Sequence, residues 1–415
     1  MRPAHFSCAQ VAAGHEVTEI LAAKIETMSP SDFARKLAEL RSEGLLRERR
    51  VVSSAQGRTL VVDGREVVCF ASNNYLGLAG DQRVVAAAKE ALDRWGWGAG
   101  ASALVSGASE PLRGLEQRIA TFKGSQGALV LGSGYLANLA AVRAAAGVGD
   151  VVFLDKLNHA SIVDAARASG ARVRVFAHRD YDRLEVLLGR SAGAKRRLIV
   201  TDSLFSMDGD FADLLRLVEL KRRYEATLMI DEAHATGVMG ARGRGVAEEA
   251  GVESEIDITV GTLSKALGGV GGFVCGSAAL VEYLVNTARS YVYTTALPAA
   301  ACAPVEVALD IVEQEPQRRG RLKASSAWLR RELRERLGLG TGDSCSQIIP
   351  VIVGSAERAV AVSEALLKRG FLVPAIRPPT VPANSARLRV SVMALHSRED
   401  LAGLVAALAE IVGHT

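Results

Sequence analysis

The chain has 415 residues, of which 49% are hydrophobic, 23% charged and 5% aromatic. This composition excludes intrinsic disorder and predicts a large apolar core, in a length typical of about two to three domains. Lys and Arg number 50 against 46 Asp and Glu, so the net charge is only +4. Such a small charge argues against a nucleic-acid-binding protein. No apolar run is long enough for a membrane-spanning helix.

The five cysteines are far apart in the sequence: Cys8, Cys69, Cys275, Cys302 and Cys345. Their spacing predicts neither a disulfide framework nor a metal site, and it favours a reducing, cytoplasmic location. The N-terminus lacks the basic start and compact apolar stretch of a signal peptide. Residues 1–27, which precede Met28, are therefore predicted to be an N-terminal extension, and the sequence leaves open whether this extension is ordered.

Helical periodicity predicts a first helix over Ser31–Leu46, followed by a hairpin of strands Arg58–Val62 and Glu66–Phe70. Short apolar runs then alternate with Ala-rich helical stretches. Seven of these runs are predicted strands: Ala128–Leu131, Val151–Leu154, Val173–Phe176, Leu198–Thr201, Thr227–Ile230, Ile258–Val260 and Phe273–Cys275. Apolar strands separated by helices indicate an α/β fold with a mostly parallel seven-stranded sheet covered by helices on both faces.

A helix over Ala299–Glu313 is predicted to break near Pro316, and a smaller α+β segment follows. Its elements are a helix to Leu337, strand Ile348–Val353, a helix to Lys368, strand Arg387–Val392 and a last helix beginning at the N-cap Ser397. We therefore predict four parts: the extension 1–27, a segment 28–73 that packs with the small domain, a large cofactor-binding domain 74–305 and a C-terminal small domain 306–415.

Gly132-Ser-Gly-Tyr135 follows a strand and begins a predicted helix. The free N–H groups of a helix N-terminus, approached closely over glycine, form a phosphate site. The same letters also fit a dinucleotide fingerprint through Ala137, with Asp155 at the end of the next strand. The turn alone therefore predicts a phosphate but leaves the cofactor open.

Asp231 ends the apolar strand Thr227–Ile230, with His234 three residues later. Lys265 follows the next strand in a loop rich in glycine, and a lysine that forms a Schiff base needs small neighbours so that cofactor and substrate reach its amine. A phosphate turn, a strand-end Asp and a loop Lys are together typical of pyridoxal 5'-phosphate (PLP) enzymes, in which the Asp keeps the pyridine nitrogen protonated. A nicotinamide dehydrogenase explains only the glycine turn.

These residues resemble the α-oxoamine synthases, PLP-dependent transferases of fold type I that condense an amino acid with an acyl thioester. The resemblance covers about Arg47 to Ala407. It depends on five motifs: Ser72–Gly77, Asn158–Ser161, Phe205–Asp210, Asp231–His234 and the loop around Lys265.

The resemblance implies roles for single residues. Lys265 is the Schiff-base lysine, Asp231 the partner of the pyridinium, and His159 the residue stacked on the ring. Ser206 and His234 form hydrogen bonds with the phenolic oxygen of PLP. The phosphate is held by Gly134, Tyr135 and Thr262, and by Thr294 or Thr295 of a neighbouring subunit, which implies a homodimer with shared active sites.

Asn73 and an arginine of the predicted strand Arg387–Val392 are implied to bind the amino acid carboxylate. Strand geometry places Arg387 and Arg389 on one side, and the family pattern favours Arg389. Arg47 and Thr380 match positions that touch the substrate. His178, which matches none of these motifs, is expected to be an ordinary loop residue.

The stretches Asp343–Ile348 and Ala375–Pro382 most resemble family members that join L-alanine to a pimeloyl thioester. Members that use glycine or serine share the same PLP residues and remain the first alternative. A dehydrogenase and a non-catalytic binding protein are the others. The sequence leaves open whether the acyl group arrives on coenzyme A or on an acyl carrier protein.

Overall fold

The computed structural model describes residues 29–412, so the predicted extension 1–27 lies outside the described residues. The chain divides into two units, of which the first ends at Arg49. This unit contains helix α1, Pro30–Ser42, which begins with a capping box formed by Ser29 and Asp32. The helix ends before the predicted Leu46 because Gly44 takes a positive φ of 64°, which ends the helical path.

A seven-stranded sheet organises the second unit. Its strands, in chain order, are β3 Gly127–Leu131, β4 Val151–Asp155, β5 Arg172–Phe176, β6 Arg197–Asp202, β7 Thr227–Asp231, β8 Ile258–Thr262 and β9 Gly272–Gly276. Their spatial order is β3-β9-β8-β7-β6-β4-β5. Strand β9 pairs antiparallel with β3 and β8, and the remaining neighbours pair parallel. The predicted mostly parallel sheet is confirmed.

Thirteen helices belong to the described part of this unit. They are α2 Gln82–Trp95, α3 Glu110–Lys123, α4 Gly134–Ala145, α5 Ala160–Ala168, α6 Tyr181–Gly189, α7 Leu214–Arg223, α8 Val246–Glu249, α9 Ala278–Thr287, α10 Arg289–Val292, α11 Ala299–Gln314, α12 Pro316–Arg331, α13 Ala356–Lys368 and α14 Arg398–Val412. Helices α11 and α12 meet at the predicted break, because Pro316 suits the first turn of a new helix.

Helices cover both faces of the large sheet. Alternate side chains of the strands pack with α4 and α5 on one face, for example Val152 and Val200 with Ile162. The intervening side chains pack with α6 and α7 on the other face, for example Phe153 and Ile199. Because the carboxyl ends of the parallel strands lie at one edge, the loops after β4, β6, β7 and β8 meet there.

Two small sheets complete the unit. The predicted hairpin is confirmed as β1 Thr59–Val62 and β2 Arg65–Cys69, and β2 also pairs in parallel with β11, Phe371–Leu372. The second small sheet has the order β10-β13-β12, with β10 Ile348–Gly354, β12 Ala375–Ile376 and β13 Ala386–Ser391. Ser397 caps the last helix by accepting from the Asp400 N–H, as predicted. The division into segments 28–73, 74–305 and 306–415 stays a prediction.

Within residues 29–412, no helix combines the length and the apolar character needed to cross a membrane.

Candidate active site

Lys265 lies in the loop between β8 and β9, at the carboxyl edge of the sheet. Its Nζ lies 2.9 Å from Nε2 of His234. Burial lowers the pKa of the Lys265 amine to about 8, an effect that exceeds the opposing influence of the Asp231 and Asp202 carboxylates. At pH 7 roughly a tenth of this amine is therefore neutral and nucleophilic, far more than for a lysine with the ordinary pKa of 10.5.

The structure gives a different reason for the glycines beside Lys265 from the one that the sequence indicated. A Cβ on Gly268 would lie 2.4 Å from the Ala79 backbone nitrogen, and one on Gly272 would lie 2.5 Å from that of Gly134. Gly268 also has a positive φ of 68°. These glycines let neighbouring backbone segments pack closely against the loop, so ligand access to the lysine is not needed to explain them.

His234 is held between Lys265 and a tyrosine that sequence reasoning missed. The Tyr75 hydroxyl lies 2.7 Å from His234 Nδ1 and 3.0 Å from Asn73 Oδ1, to which it donates its proton. His234 Nδ1–H therefore donates to the Tyr75 oxygen, which leaves Nε2 as an acceptor for the Lys265 amine. Burial and the nearby charges of Lys265 and Arg389 lower the pKa of His234 well below its ordinary value, so the ring is neutral.

Asp231 ends β7, and its carboxylate is fixed by two donors. Asn138 Nδ2 donates to Oδ2 at 2.7 Å, and the Ala233 N–H donates to Oδ1 at 2.8 Å. Asn138 lies on α4 and was not identified from the sequence, because 93 residues separate it from Asp231. Its own Oδ1 is buried without a partner. Burial and the neighbouring Asp231 carboxylate raise the pKa of Asp202 well above its ordinary value.

The predicted phosphate residues meet at the N-terminus of α4. Ser133 caps this helix by accepting from the Leu136 N–H, and the N–H groups of Gly134 and Tyr135 belong to its first turn. A Cβ on Gly134 would lie 3.6 Å from the Thr262 side chain, so the glycine turn and Thr262 are neighbours. The Thr262 hydroxyl lies 2.8 Å from that of Ser264. The Thr262 hydroxyl donates to the Gly271 carbonyl oxygen at 2.9 Å, so what this end of the site offers is the N–H groups of the helix N-terminus.

The two candidate arginines of β13 have different partners. Arg389 Nη1 donates to Asn73 Oδ1 at 3.2 Å, and its Nε donates to the Ser206 carbonyl oxygen at 2.6 Å. Arg387 instead pairs with Asp208 at 2.6 Å. The structure therefore brings Arg389, and not Arg387, together with Asn73, in agreement with the choice made from the family pattern.

A cavity of about 590 Å³ adjoins these residues, and the predicted residues His159, Ser206 and Thr380 line it. Thr380 is exposed, and His159 is the N-cap of α5, with Nδ1 accepting from the Ser161 N–H. Desolvation by the surrounding protein lowers the pKa of His159 below its ordinary value, which favours the neutral ring. The cavity has room for a substrate beside His159 and Ser206.

The remaining predicted residues lie at the surface or outside this arrangement. The Tyr135 ring is half-exposed, and its hydroxyl donates to Asp164 at 2.8 Å. Thr294 and Thr295 line a small cavity with Leu131 and Gly132, on the chain before α11. Arg47 belongs to the first unit and is exposed. The roles of these residues stay predictions.

The donor set fits PLP. A buried amine with a lowered pKa suits an aldehyde, a carboxylate held by two donors suits a protonated ring nitrogen, and the N–H groups of a helix N-terminus suit a phosphate. These three features lie at the carboxyl ends of β8, β7 and β3, which are close together in the sheet. The sequence prediction of a PLP site therefore agrees with the chemistry of the side chains.

Comparison with known proteins gives the same result. The family model for aminotransferase class I and II matches residues 65–408. The chain is 51% identical to an 8-amino-7-oxononanoate synthase of Geobacter sulfurreducens, over 91% of this chain and 97% of that protein.

Solved structures of similar proteins have the same fold. A serine palmitoyltransferase of Sphingomonas wittichii superimposes with a TM-score of 0.88, at 33% identity over 94% of this chain and 99% of that chain. A second serine palmitoyltransferase, from S. paucimobilis, was solved with bound PLP and myriocin. It has a TM-score of 0.87 and 32% identity over 92% of this chain and 98% of that chain. The expectation of fold type I and the resemblance to α-oxoamine synthases are confirmed.

Proposed function

Since the chain belongs to the aminotransferase class I and II family, we propose that it catalyses the reaction of 8-amino-7-oxononanoate synthases. In this reaction L-alanine condenses with a pimeloyl thioester to give 8-amino-7-oxononanoate, CO₂ and a free thiol, in biotin biosynthesis. The observation that carries the proposal is the buried Lys265 amine, held at 2.9 Å from a neutral His234 on the fold of PLP enzymes.

When bound, PLP supplies a ring that accepts electron density from the α-carbon of the amino acid. Asp231 keeps a proton on the ring nitrogen, because its fixed carboxylate favours the cationic form. Lys265 removes the α-proton of L-alanine with its neutral amine, whose pKa near 8 suits a base working near neutral pH. His234 Nε2 accepts a hydrogen bond from this amine and so keeps the amine oriented.

Arg389 binds the carboxylate of L-alanine, assisted by Asn73. Both residues are already oriented by their contact at 3.2 Å, and Arg389 is buried, which strengthens its attraction to an anion. The acyl group occupies the cavity of about 590 Å³, where the ring of His159 and the side chain of Thr380 contact it.

A glycine- or serine-using acyltransferase is the second candidate, favoured by the structural neighbours named serine palmitoyltransferase. Identity favours the first candidate, since the chain is 51% identical to the 8-amino-7-oxononanoate synthase and 33% identical to the serine palmitoyltransferase. Neither the family nor these relatives support the dehydrogenase alternative.

The choice between these candidates is tested by comparing amino acids. With pimeloyl thioester and PLP-loaded protein, we expect kcat/KM for L-alanine to exceed the values for glycine and L-serine by tenfold or more, roughly the discrimination that one methyl or hydroxyl group allows. Thiol release measures the rate, and each acyl donor, on coenzyme A and on acyl carrier protein, is used separately. A preference for glycine or serine would support the second candidate and leave the PLP site standing.

The active form is a cytoplasmic homodimer. Trp97, Val105 and Tyr293 are 77%, 79% and 72% exposed, respectively, and burial against a second copy would remove this apolar surface from water. Tyr293 directly precedes Thr294 and Thr295, so the same contact would bring these threonines to the neighbouring site. Sedimentation is expected to give twice the chain mass, whereas a monomer with full activity would contradict shared sites.

A further inference from the structure

His178 lies in the loop after β5 and matches none of the motifs that predict the site, yet its ring bridges two buried carboxylates. Its Nδ1 lies 3.0 Å from Asp155 Oδ1, and its Nε2 lies 2.8 Å from Asp210 Oδ2. Asp155 and Asp210 are both almost completely buried. His178 lies in a loop, as expected, but its contacts with two buried carboxylates were not indicated by the sequence.

The two contacts decide the charge of the ring. An ionised carboxylate only accepts hydrogen bonds, so each ring nitrogen must carry a proton to donate. Burial lowers the pKa of His178, but the hydrogen bonds and charges of Asp155 and Asp210 outweigh burial and raise the pKa to about 9. The ring is therefore a cation at neutral pH.

The two carboxylates belong to different loops of the candidate site. Asp155 ends β4, directly before the loop that carries His159, and it also accepts from the Leu157 N–H at 2.8 Å. Asp210 lies after β6 in the loop that carries Ser206, and its carbonyl oxygen accepts from the Phe205 N–H. The loops 156–160 and 205–208 both contribute to the lining of the cavity of about 590 Å³.

We propose that His178 is a positioning residue that, as a cation, ties these two loops together and so sets the spacing of His159 and Ser206 across the candidate site. The edge of its ring also contacts the face of Phe205, with centroids 4.4 Å apart. Holding Phe205 and Asp210 at once fixes the short loop between them. The inference uses the position of the proposed site but not the identity of its substrates.

The proposal makes the link between the loops dependent on pH. The folded-state pKa of about 9 lies above the ordinary 6.5 of histidine. The stability that the charged His178 ring adds to the folded protein is therefore fully present below about pH 6.5 and is lost as the pH rises through 9. Other charged or titratable groups face this cluster: Arg179, Tyr181, Asp343 and Cys345. Of these, Arg179 contacts Asp210 at 3.3 Å and keeps a positive charge throughout this range.

Nitrogen-15 NMR of histidine-labelled wild-type protein tests the charge directly. We expect one histidine with both ring nitrogens protonated at pH 7.5, losing a proton near pH 9. Its signal is assigned by its absence from the His178→Gln variant. A His178 ring with one proton at pH 7.5 would overturn the proposal, and this measurement on the wild type needs no stable variant.

Hydrogen exchange tests the positioning. At pH 7, His178→Gln is expected to speed exchange roughly tenfold or more in peptides covering 156–160 and 203–211, because its amide is neutral and has one donor nitrogen in place of two. At pH 10 the wild type should exchange as fast as the variant in these peptides. Unchanged exchange at pH 7, or an equal increase throughout the protein, would refute the role.

The matched control is Arg179→Asn, which removes the neighbouring cation but leaves His178. Arg179 has a φ of 57°, and asparagine tolerates this left-handed conformation. In this control, hydrogen exchange in the two loops should still be slow at pH 7 and lose its protection at pH 10, as in the wild type. Since neither measurement uses turnover, the proposed reaction and this inference can fail separately.

Discussion

The Lys265→Ala variant is expected to lose covalent attachment of PLP and at least about a thousandfold in turnover. The side chain provides the amine that both holds the cofactor and moves the α-proton, whereas the buried amine of Lys123 is bound to Glu232. Borohydride reduction followed by peptide mass spectrometry measures the attachment. In the wild type, the modified peptide should contain Lys265.

Lys265→Arg is the matched control, since it keeps a positive charge next to His234 but has no nucleophilic amine. It should behave like Lys265→Ala in both measurements. Recovery of covalent attachment in either variant would show that another amine forms the bond, and Lys265 would lose its assigned role.

The Asp231→Asn variant should keep PLP but lose roughly a hundredfold or more in kcat, because an amide does not hold a proton on the ring nitrogen. The variant should fold, since Asn138 has an unpartnered Oδ1 and can rotate its amide to accept from the new Asn. Kinetics under saturating L-alanine, with PLP content measured in parallel, separate turnover from cofactor loss.

Asp202→Asn provides the comparison for this prediction. Asp202 is also buried at the carboxyl edge of the sheet, but burial and the Asp231 carboxylate raise its pKa and disfavour its charged form, so its amide should cost much less than tenfold in kcat. Equal losses in the two variants would contradict a specific role for the Asp231 charge.

Most of the seven strands could be predicted because they are continuous apolar runs, and buried parallel strands need no alternation of polar residues, whereas the edge strand β5 alternates Arg with Val. The site residues at the strand ends could be predicted from the same alternation of strands and helices. Asp231 and Lys265 lie at the ends of adjacent strands, so their proximity is a consequence of the sheet.

Contacts that cross between distant segments could not be predicted. Tyr75 and His234 are 159 residues apart, and nothing in the sequence around Tyr75 says that its hydroxyl reaches a histidine. For the same reason, strand spacing alone could not decide between Arg387 and Arg389. Both are buried on one strand, and only their partners distinguish them. His178 was missed because its two carboxylates precede and follow it by 23 and 32 residues.

The measurement that tests the central claim most directly uses L-alanine labelled with carbon-13 in its carboxyl group. With pimeloyl thioester and the PLP-loaded protein, we predict labelled CO₂ and free thiol in equal amounts, together with 8-amino-7-oxononanoate identified by mass spectrometry. Thiol released without labelled CO₂ would mean that no decarboxylative condensation occurs, and this result would contradict the proposed function.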